Sequence, residues 1–520
     1  MDSAVVGTAE ARYRELEPKR FVYLDRAREA SKFTIPSLLP PNGHNSTTKL
    51  ETPYQGVGAR GVNNLASKLL LALLPPNSPF FRLRVDEFLK DQTDPGLKTE
   101  VETALSRVEQ AVMTEIEVSA DRVAVFEILK HLLVAGNVLM DMSQTDGMRV
   151  FHLDRYVVVR DPMGNVLEIV IHEIVAPAAL PEKVRELITS REDTKAEKTV
   201  NLYTWVKRKG NLWTVFQEVK GVVIPGTQGT YPLERTPFIP LRGNRIDGED
   251  YGRGYVEEYL GDLKSLEGLS RAIVEGAAAA AKVLFLVNPN GTTRAKTLAE
   301  APNGAIREGN KEDVTVLQLE KFGDFRTAYE QIQRIEERLS FAFLLNSSIQ
   351  RNAERVTAEE VRYMARELED ALGGLYSILA QEFQLPYVRR KIHQMEKGKK
   401  LPPLPKDTVK PMIITGLEAL GRGHDLNKLD VFISGLTSTL GPEIVAQYLN
   451  LDDYIARRAA AIGVDTKGLI KTREEIEAAQ QQAQQQAMLA QFGPEVVRQV
   501  GGVIQKGMQN GQASPKPPTG

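Results

Sequence analysis

Residues Gly56-Val57-Gly58-Ala59-Arg60-Gly61 match the spacing G-x-G-x-x-G. In dinucleotide-binding enzymes such glycines let the backbone approach a pyrophosphate at a helix N-terminus. That chemistry needs a buried strand before the glycines, a helix after them and an acidic residue about 20 positions on. The preceding stretch, NGHNSTTKLETPYQ, is polar and has no strand pattern. After the glycines, Val62, Leu65, Ala66, Leu69, Leu70 and Leu73 recur at helical spacing, and Pro75 and Pro76 stop the pattern. Near position 80 the chain reads PFFRLRV, with no acid before Asp86. Only the helix is present. The glycines therefore read as a helix start whose small residues permit close packing. A cytosolic nucleotide-dependent enzyme using Gly56–Gly61 stands as the competing reading.

Other chemistry is also incomplete. The six histidines, His44, His131, His152, His172, His393 and His424, show no metal-ligand spacing. His172-Glu173 opens like H-E-x-x-H, but Ala176 stands where the second histidine belongs. No G-x-S-x-G and no G-x-x-x-x-G-K-[ST] occurs. There is no cysteine, which excludes disulfides, thiolate-bound metals and thiol nucleophiles, and fits a reducing compartment. Asp247, Glu249 and Asp250 sit among Arg and Gly, as in a solvated loop rather than a metal site. His131, in an apolar helical stretch, reads as a satisfied core residue. The expectation is no catalytic residue, no metal, no cofactor and no enzyme. Any ATP-driven step belongs to another protein.

The elements that position these residues follow from composition and periodicity. The chain has 520 residues, 42% hydrophobic and 26% charged, an ordinary globular balance. That length accommodates roughly two to four domains. No stretch approaches the ~20 apolar residues of a membrane span. Residues 1–30 have no apolar h-region, so no secretory signal is expected. A formal net charge of −2 argues against tight electrostatic DNA binding by the chain as a whole.

The pattern predicts an α+β, predominantly helical chain. Helices are expected over 8–32, 61–74, 97–118 and from 125 into a strand near 140. YVVVR and VLEIVIHEIV flank the turn DPMGN, and TVNLYTWVKR and LWTVFQEVKG flank KGN, predicting two hairpins. FIPLRGNRIDGEDYGRGY reads as loop. A long helix is expected over 255–282, with Tyr259, Leu263, Leu266, Leu269 and Ile273 as its apolar stripe and a run of alanines suited to close helix packing. A β-rich insert follows, then a helix over 324–345 with Ile332, Ile335, Leu339 and Phe343 inward. Two helices thus bracket a small β module. Residues 346–356 read as a polar loop. Thr357-Ala-Glu-Glu360 is a capping box that opens the next helix, with a bend near Gly373-Gly374 or Pro386. A last strand is expected near MIITGL, then helices from about 424 to 462. Another capping box at Thr472–Glu475 opens a Gln-rich helix. The tail 501–520 has a disordered composition.

Several long stretches resemble the portal proteins, or head-to-tail connectors, of T7-like short-tailed bacteriophages. They include FTIPSLLPP (33–41), TPYQGVGARGVNNLASKLLLALLPP (52–76), HLLVAGNVLM (131–140) and DGEDYGRGYVEEYLGDLKSLEGL (247–269). Further ones are RLSFAFLLNSSIQRNAERVTAEEVRY (338–363), LEDALGGLYSILAQEFQLP (368–386) and ITGLEALGRGHDLNKLD (414–430). They keep the family's order across most of 20–470. The resemblance implies a dodecameric ring at one capsid vertex, carrying double-stranded DNA inward during packaging and outward at ejection. Implied partners are terminase, a tail adaptor, scaffolding protein, internal core proteins and the major capsid protein, with no membrane. The implied location is the virion, with the host cytoplasm during assembly.

The family's wing, stem, clip and crown map onto the elements above. The wing is expected over 1–254 and again over 357–423. The stem helices would be 255–282 and 324–345, the clip 283–323, the tunnel loop 346–356 and the crown 424–500, ahead of the tail. Cyclic symmetry turns one Arg per chain into a ring of charge, able to centre a duplex without reading bases. The channel candidates are Gln350, Arg351, Asn352 and Arg355 in the loop, with Arg334 and Arg338 on the second stem helix. The alternative for these arginines is intersubunit pairing with Glu330, Glu336, Glu337 or Glu354. Arg294, Lys296, Arg307 and Lys311 are the candidate docking cations of the clip, where acids balance them.

Overall fold

The computed structural model describes residues 7–45, 47–76, 80–85, 95–144, 147–182, 184–185, 199–280, 284–317, 322–345, 367–368, 370–372, 374–402, 409–413, 421–449, 454–455 and 458. The chain divides after Gly421 into two units.

The first unit begins with helices α1 (Ala9–Lys32), α2 (Val57–Leu73), α3 (Pro95–Val118) and α4 (Asp121–Ala135), with strand β1 (Phe81–Val85) between α2 and α3. Helix α4 is apolar on nearly every side and is buried accordingly, through Val125, Ile128, Leu129, Leu132 and Leu133. Gly136, in the left-handed conformation, ends it and turns the chain into β2 (Asn137–Asp141). Every residue of β2 is buried, because β3 (Arg149–His152) pairs with one edge and β10 (Phe238–Arg242) with the other. The FIPLR stretch is therefore a strand, not the loop expected. Phe238, Ile239 and Leu241 supply apolar cover for β2. Pro240 is tolerated because β10 is the sheet's outer strand.

Between β3 and β10 lies a six-stranded sheet. Its antiparallel path runs β4 (Tyr156–Arg160), β5 (Val166–Val175), β6 (Val200–Lys209), β7 (Leu212–Val219) and β8 (Val222–Val223), with β9 (Gly229–Pro232) also on β7. The two predicted hairpins are β4–β5 and β6–β7. In the first turn, Gly164 takes a positive φ of 86° and Asp161 accepts from the Asn165 N–H at 2.7 Å. Helix α1 lies on this sheet through Tyr13 and Leu16, packed with Val157, Val170, Tyr203 and Trp205. Arg20, 1% exposed, pins α1 in place. Its guanidinium donates to the Leu153, Asp154 and Tyr156 carbonyls at 3.2, 2.9 and 3.1 Å and to the Tyr13 hydroxyl at 2.7 Å.

The chain then forms a short helix, Tyr255–Glu258, and α5 (Leu260–Ala280). The expected continuous helix is broken at Tyr259. Strands β11 (Leu284–Val287) and β12 (Val314–Leu317) pair, and α6 (Phe322–Ala342) follows. The later chain returns to the early helices. A π-helical segment, Ala380–Gln384, leads into α7 (Leu385–Lys397). The irregularity falls just before Pro386, which has no N–H to offer the preceding turn; the Leu385 N–H instead reaches the Ala380 carbonyl. Strand β13 (Val409–Ile413) pairs with β1. From Arg422 on, the second unit holds the rest of α8 (Gly421–Leu440) and α9 (Pro442–Tyr448), broken by Gly441 at φ 85°. The capping boxes at Thr357 and Thr472, the Gln-rich stretch and the tail lie outside the described residues.

Candidate functional site

The Gly56–Gly61 stretch builds no ligand cradle. A Cβ on Gly58 would stand 2.4 Å from the Phe33 carbonyl oxygen, and one on Gly61 would stand 2.5 Å from Cγ of Phe343. The space that a pyrophosphate would need is filled by the chain itself. The Gln55 side chain closes the helix start, accepting from the Gly58 N–H at 2.9 Å and donating to the Phe33 carbonyl at 2.6 Å. Arg60 is exposed.

His131 is buried, as its apolar helix requires, with Nε2 3.9 Å from Glu127. Its Nδ1 has no hydrogen-bond partner, nor has Nδ1 of His152, whose ring lies 6.2 Å away. Burial first, and then His131, holds His152 down to about 4. Asp250 accepts from the Arg160 N–H at 2.6 Å and Glu249 lies 3.5 Å from Arg253, while Asp247 is exposed. Among the described residues, no group of three or more His, Cys, Asp or Glu could hold a metal ion. Among the same residues, no helix is long and apolar enough to cross a membrane.

The remaining candidate is the helix pair and its hairpin. Helices α5 and α6 pack antiparallel. At the inner end Leu263, Leu266, Ile335 and Leu339 join the main core. Farther out, both helices are largely exposed, including Val274 at 54% and Tyr329 at 56%. Within one chain the alanine run is uncovered: Ala277–Ala279 are exposed. Gly276 is in close contact, since a Cβ there would meet the Phe325 ring at 2.7 Å. The helices' charges are paired locally. Arg338 bonds Asp262 at 2.7 Å, Arg326 bonds Glu330 at 3.3 Å, and Arg271 lies 5.1 Å over the Tyr54 ring. Arg334 is exposed.

The hairpin module is organised by Asp313. Its carboxylate accepts from the Thr293 N–H at 3.0 Å and the Thr292 hydroxyl at 3.1 Å, and these bonds hold it below the ordinary carboxylate range. Thr293 in turn accepts from the Asn310 N–H at 2.8 Å. Arg294, Lys296, Arg307 and Lys311 are all exposed around this frame. Gln350, Arg351, Asn352 and Arg355 lie outside the described residues. Sequence reasoning missed the residues that receive the end of α6, Asn64 and Lys68 on α2. The available signal was an asparagine and a lysine at i+3 and i+7 from Gly61, on one face of the helix.

An exposed antiparallel helix pair carries a two-stranded hairpin and is rooted in a mixed helix-and-strand body. The chain belongs to the bacteriophage head-to-tail connecting proteins, the portal proteins, whose family profile matches residues 6–470. It is 44% identical over 516 residues to the portal protein of Escherichia phage T7, covering 97% of this chain and 92% of that one. It is 46% identical over 503 residues to the portal protein of Enterobacteria phage T3, covering 95% and 93%. The portal protein of Enterobacteria phage SP6 is 33% identical over 511 residues, 96% of each chain. Among solved structures, the neck of an empty gene transfer agent particle is similar at a TM-score of 0.35 and 11% identity, covering 73% of this chain and 86% of that one. That likeness is too slight to bear on the fold.

Proposed function

We propose that copies of this chain form a dodecameric ring at one capsid vertex, around a channel through which double-stranded DNA enters at packaging and leaves at ejection. The observation that carries this reading is the outer α5–α6 pair. It leaves Val274 and Tyr329 uncovered at 54% and 56% exposure, apolar surface that neighbouring copies in a closed ring would cover. The regions are the wing (1–254 and 357–423), stem (255–282 and 324–345), clip (283–323), tunnel loop (346–356) and crown (424–500). The wing reading is supported by the β1–β13 pairing and by Gln384, which donates to the Leu73 carbonyl at 2.6 Å. Both tie the returning chain to the first part.

The chain is not an enzyme and uses no cofactor. DNA must slide, so tight counterion-releasing contacts would brake it. A near-neutral chain with a few basic residues in the channel meets that need. Arg351 and Arg355, with Gln350 and Asn352, face the DNA, and Arg334 adds to the ring. Arg338 is the weaker candidate, because Asp262 offsets its charge. Arg294, Lys296, Arg307 and Lys311 on the clip dock terminase and then the tail adaptor. Scaffolding protein, internal core proteins and the major capsid protein meet other faces. The chain works in the virion, after assembly in the host cytoplasm.

Negative-stain imaging of the purified protein is expected to show large rings; a 58 kDa monomer at assembly concentration would overturn the reading. Particles carrying Arg351→Ala with Arg355→Ala are expected to lose full-length DNA after packaging. Normal packaging and retention would remove both residues from the channel.

A further inference from the structure

Helix α6 ends against an unusual constraint. The Leu344 N–H donates to the Phe341 carbonyl at 3.1 Å and the Leu345 N–H to the Ser340 carbonyl at 2.8 Å. These are the two bonds of a Schellman closure, which puts one residue in the left-handed region, usually a glycine. Here that residue is Leu344, at φ 53°. A side chain is strained in this conformation and persists only where its surroundings hold it. Leu344 is 9% exposed and its neighbour Phe343 is fully buried.

The last carbonyls of a helix have no partners within it. At this end three consecutive carbonyls are taken by side chains of other elements. The Tyr255 hydroxyl donates to the Ala342 carbonyl at 3.0 Å. Asn64 Nδ2 donates to the Phe343 and Leu344 carbonyls at 3.0 and 2.9 Å. Lys68 Nζ donates to the Leu344 carbonyl at 3.2 Å and to Glu367 at 2.9 Å. Burial pushes the Tyr255 phenol far up, so it stays a donor. Gly61, Asn64 and Lys68 share one face of α2. The first is where the Phe343 ring rests, and the lysine also brings positive charge to the negative end of α6.

We infer that Gly61, Asn64, Lys68 and Tyr255 form a socket for the end of α6, with Asn64 and Lys68 as positioning residues. They hold Leu344 in its strained turn and so fix the point from which the chain leaves the stem. The functional consequence rests on the portal reading: a fixed helix end in every copy keeps the channel-facing residues in register around the ring. The other polar side chains of α2, Arg60, Asn63 and Ser67, are exposed, whereas the inward polar atoms of Asn64 and Lys68 serve the neighbouring helix end.

Peptide-resolved hydrogen exchange on the full chain tests the socket. With Asn64→Ala and Lys68→Met together, exchange over 340–345 is expected to rise on the order of tenfold, while 326–338 stays unchanged. Adding Leu344→Gly, which removes the strain, is expected to restore most of the protection. Unchanged exchange, a rise spread over all of α6, or no recovery with glycine would each overturn the socket. In particles, the double variant is expected to form rings yet retain less full-length DNA. Rings with normal retention would end the positioning role and leave the portal reading intact, whereas absence of rings from the unaltered chain would end the portal reading itself. If the double variant alone forms no rings, Asn64→Ala alone is read against the same outcomes.

Discussion

Asp121, at the start of α4, shows how single residues join distant parts of the chain. Its carboxylate, 2% exposed, accepts from Lys391 Nζ at 2.7 Å and from the Tyr387 hydroxyl at 2.8 Å. The helix N-terminus adds favourable charge to the same spot. Removing one partner of such a pair leaves an uncompensated buried charge. Asp121→Ala is therefore expected to destabilise by roughly 3–5 kcal/mol, while Asp121→Asn with Lys391→Met recovers most of that loss. Thermal or denaturant unfolding of the two variants checks the order; a double variant no better than the single one would show the charge is not the cause. None of this was readable beforehand, because Asp121 and Lys391 are far apart in sequence and belong to different apolar stripes. In GVGARG, by contrast, the lack of a strand and an acid in the context points to packing, and Gly58 and Gly61 do meet neighbours closely, whereas Gly56 has open space around it. Gly61→Ala would press a Cβ against Phe343, costing about 1–3 kcal/mol as read by the same unfolding measurement.

At the scale of elements, hairpins with strong turn residues announced themselves, as DPMGN and KGN did. Strand β10 did not, because Pro240 and the RGN that follows it look like loop, and only β2's need for cover on both edges reveals it. The α4–β2–β3 layer also holds the buried His131 beside the half-buried His152, with Glu127, Asp154, Arg155 and Arg20 around them. His152 titrates near 4 in the fold against an ordinary 6.5. Above pH 6.5 it is neutral in both states and contributes nothing. As pH falls from 6.5 toward 4, the unfolded chain takes a proton that the folded one refuses, so stability drops, by up to about 1.4 kcal/mol per pH unit. Below about 4 the loss levels off. Unfolding temperatures between pH 7 and 4.5 are expected to fall less steeply for His152→Gln than for the unaltered chain. Parallel curves would show that another group carries the acid sensitivity.

For the whole molecule, the decisive feature is what the hairpin module does not share with the body. Among the described residues, none of the hydrophobic core clusters includes a residue of 284–317. The module's order comes instead from the Asp313–Thr293–Asn310 bonds, while Phe285 and Leu286 of β11 stay exposed at 61% and 54%. Because Val287 pairs with Val314, removing Asn288–Asn310 leaves Lys311, Glu312 and Asp313 as a three-residue turn between the same two strands. Connections of that length are common in hairpins. The deletion is thus expected to leave the melting temperature of the body nearly unchanged and the rings intact in negative stain. Engagement of terminase and of the tail adaptor should be lost, because the exposed cations Arg294 and Arg307 go with the segment. A deleted chain that fails to fold would place the module in the body's core. A chain that packages DNA and attaches tails normally would move docking elsewhere on the ring, since no other change in the chain could compensate for an absent surface.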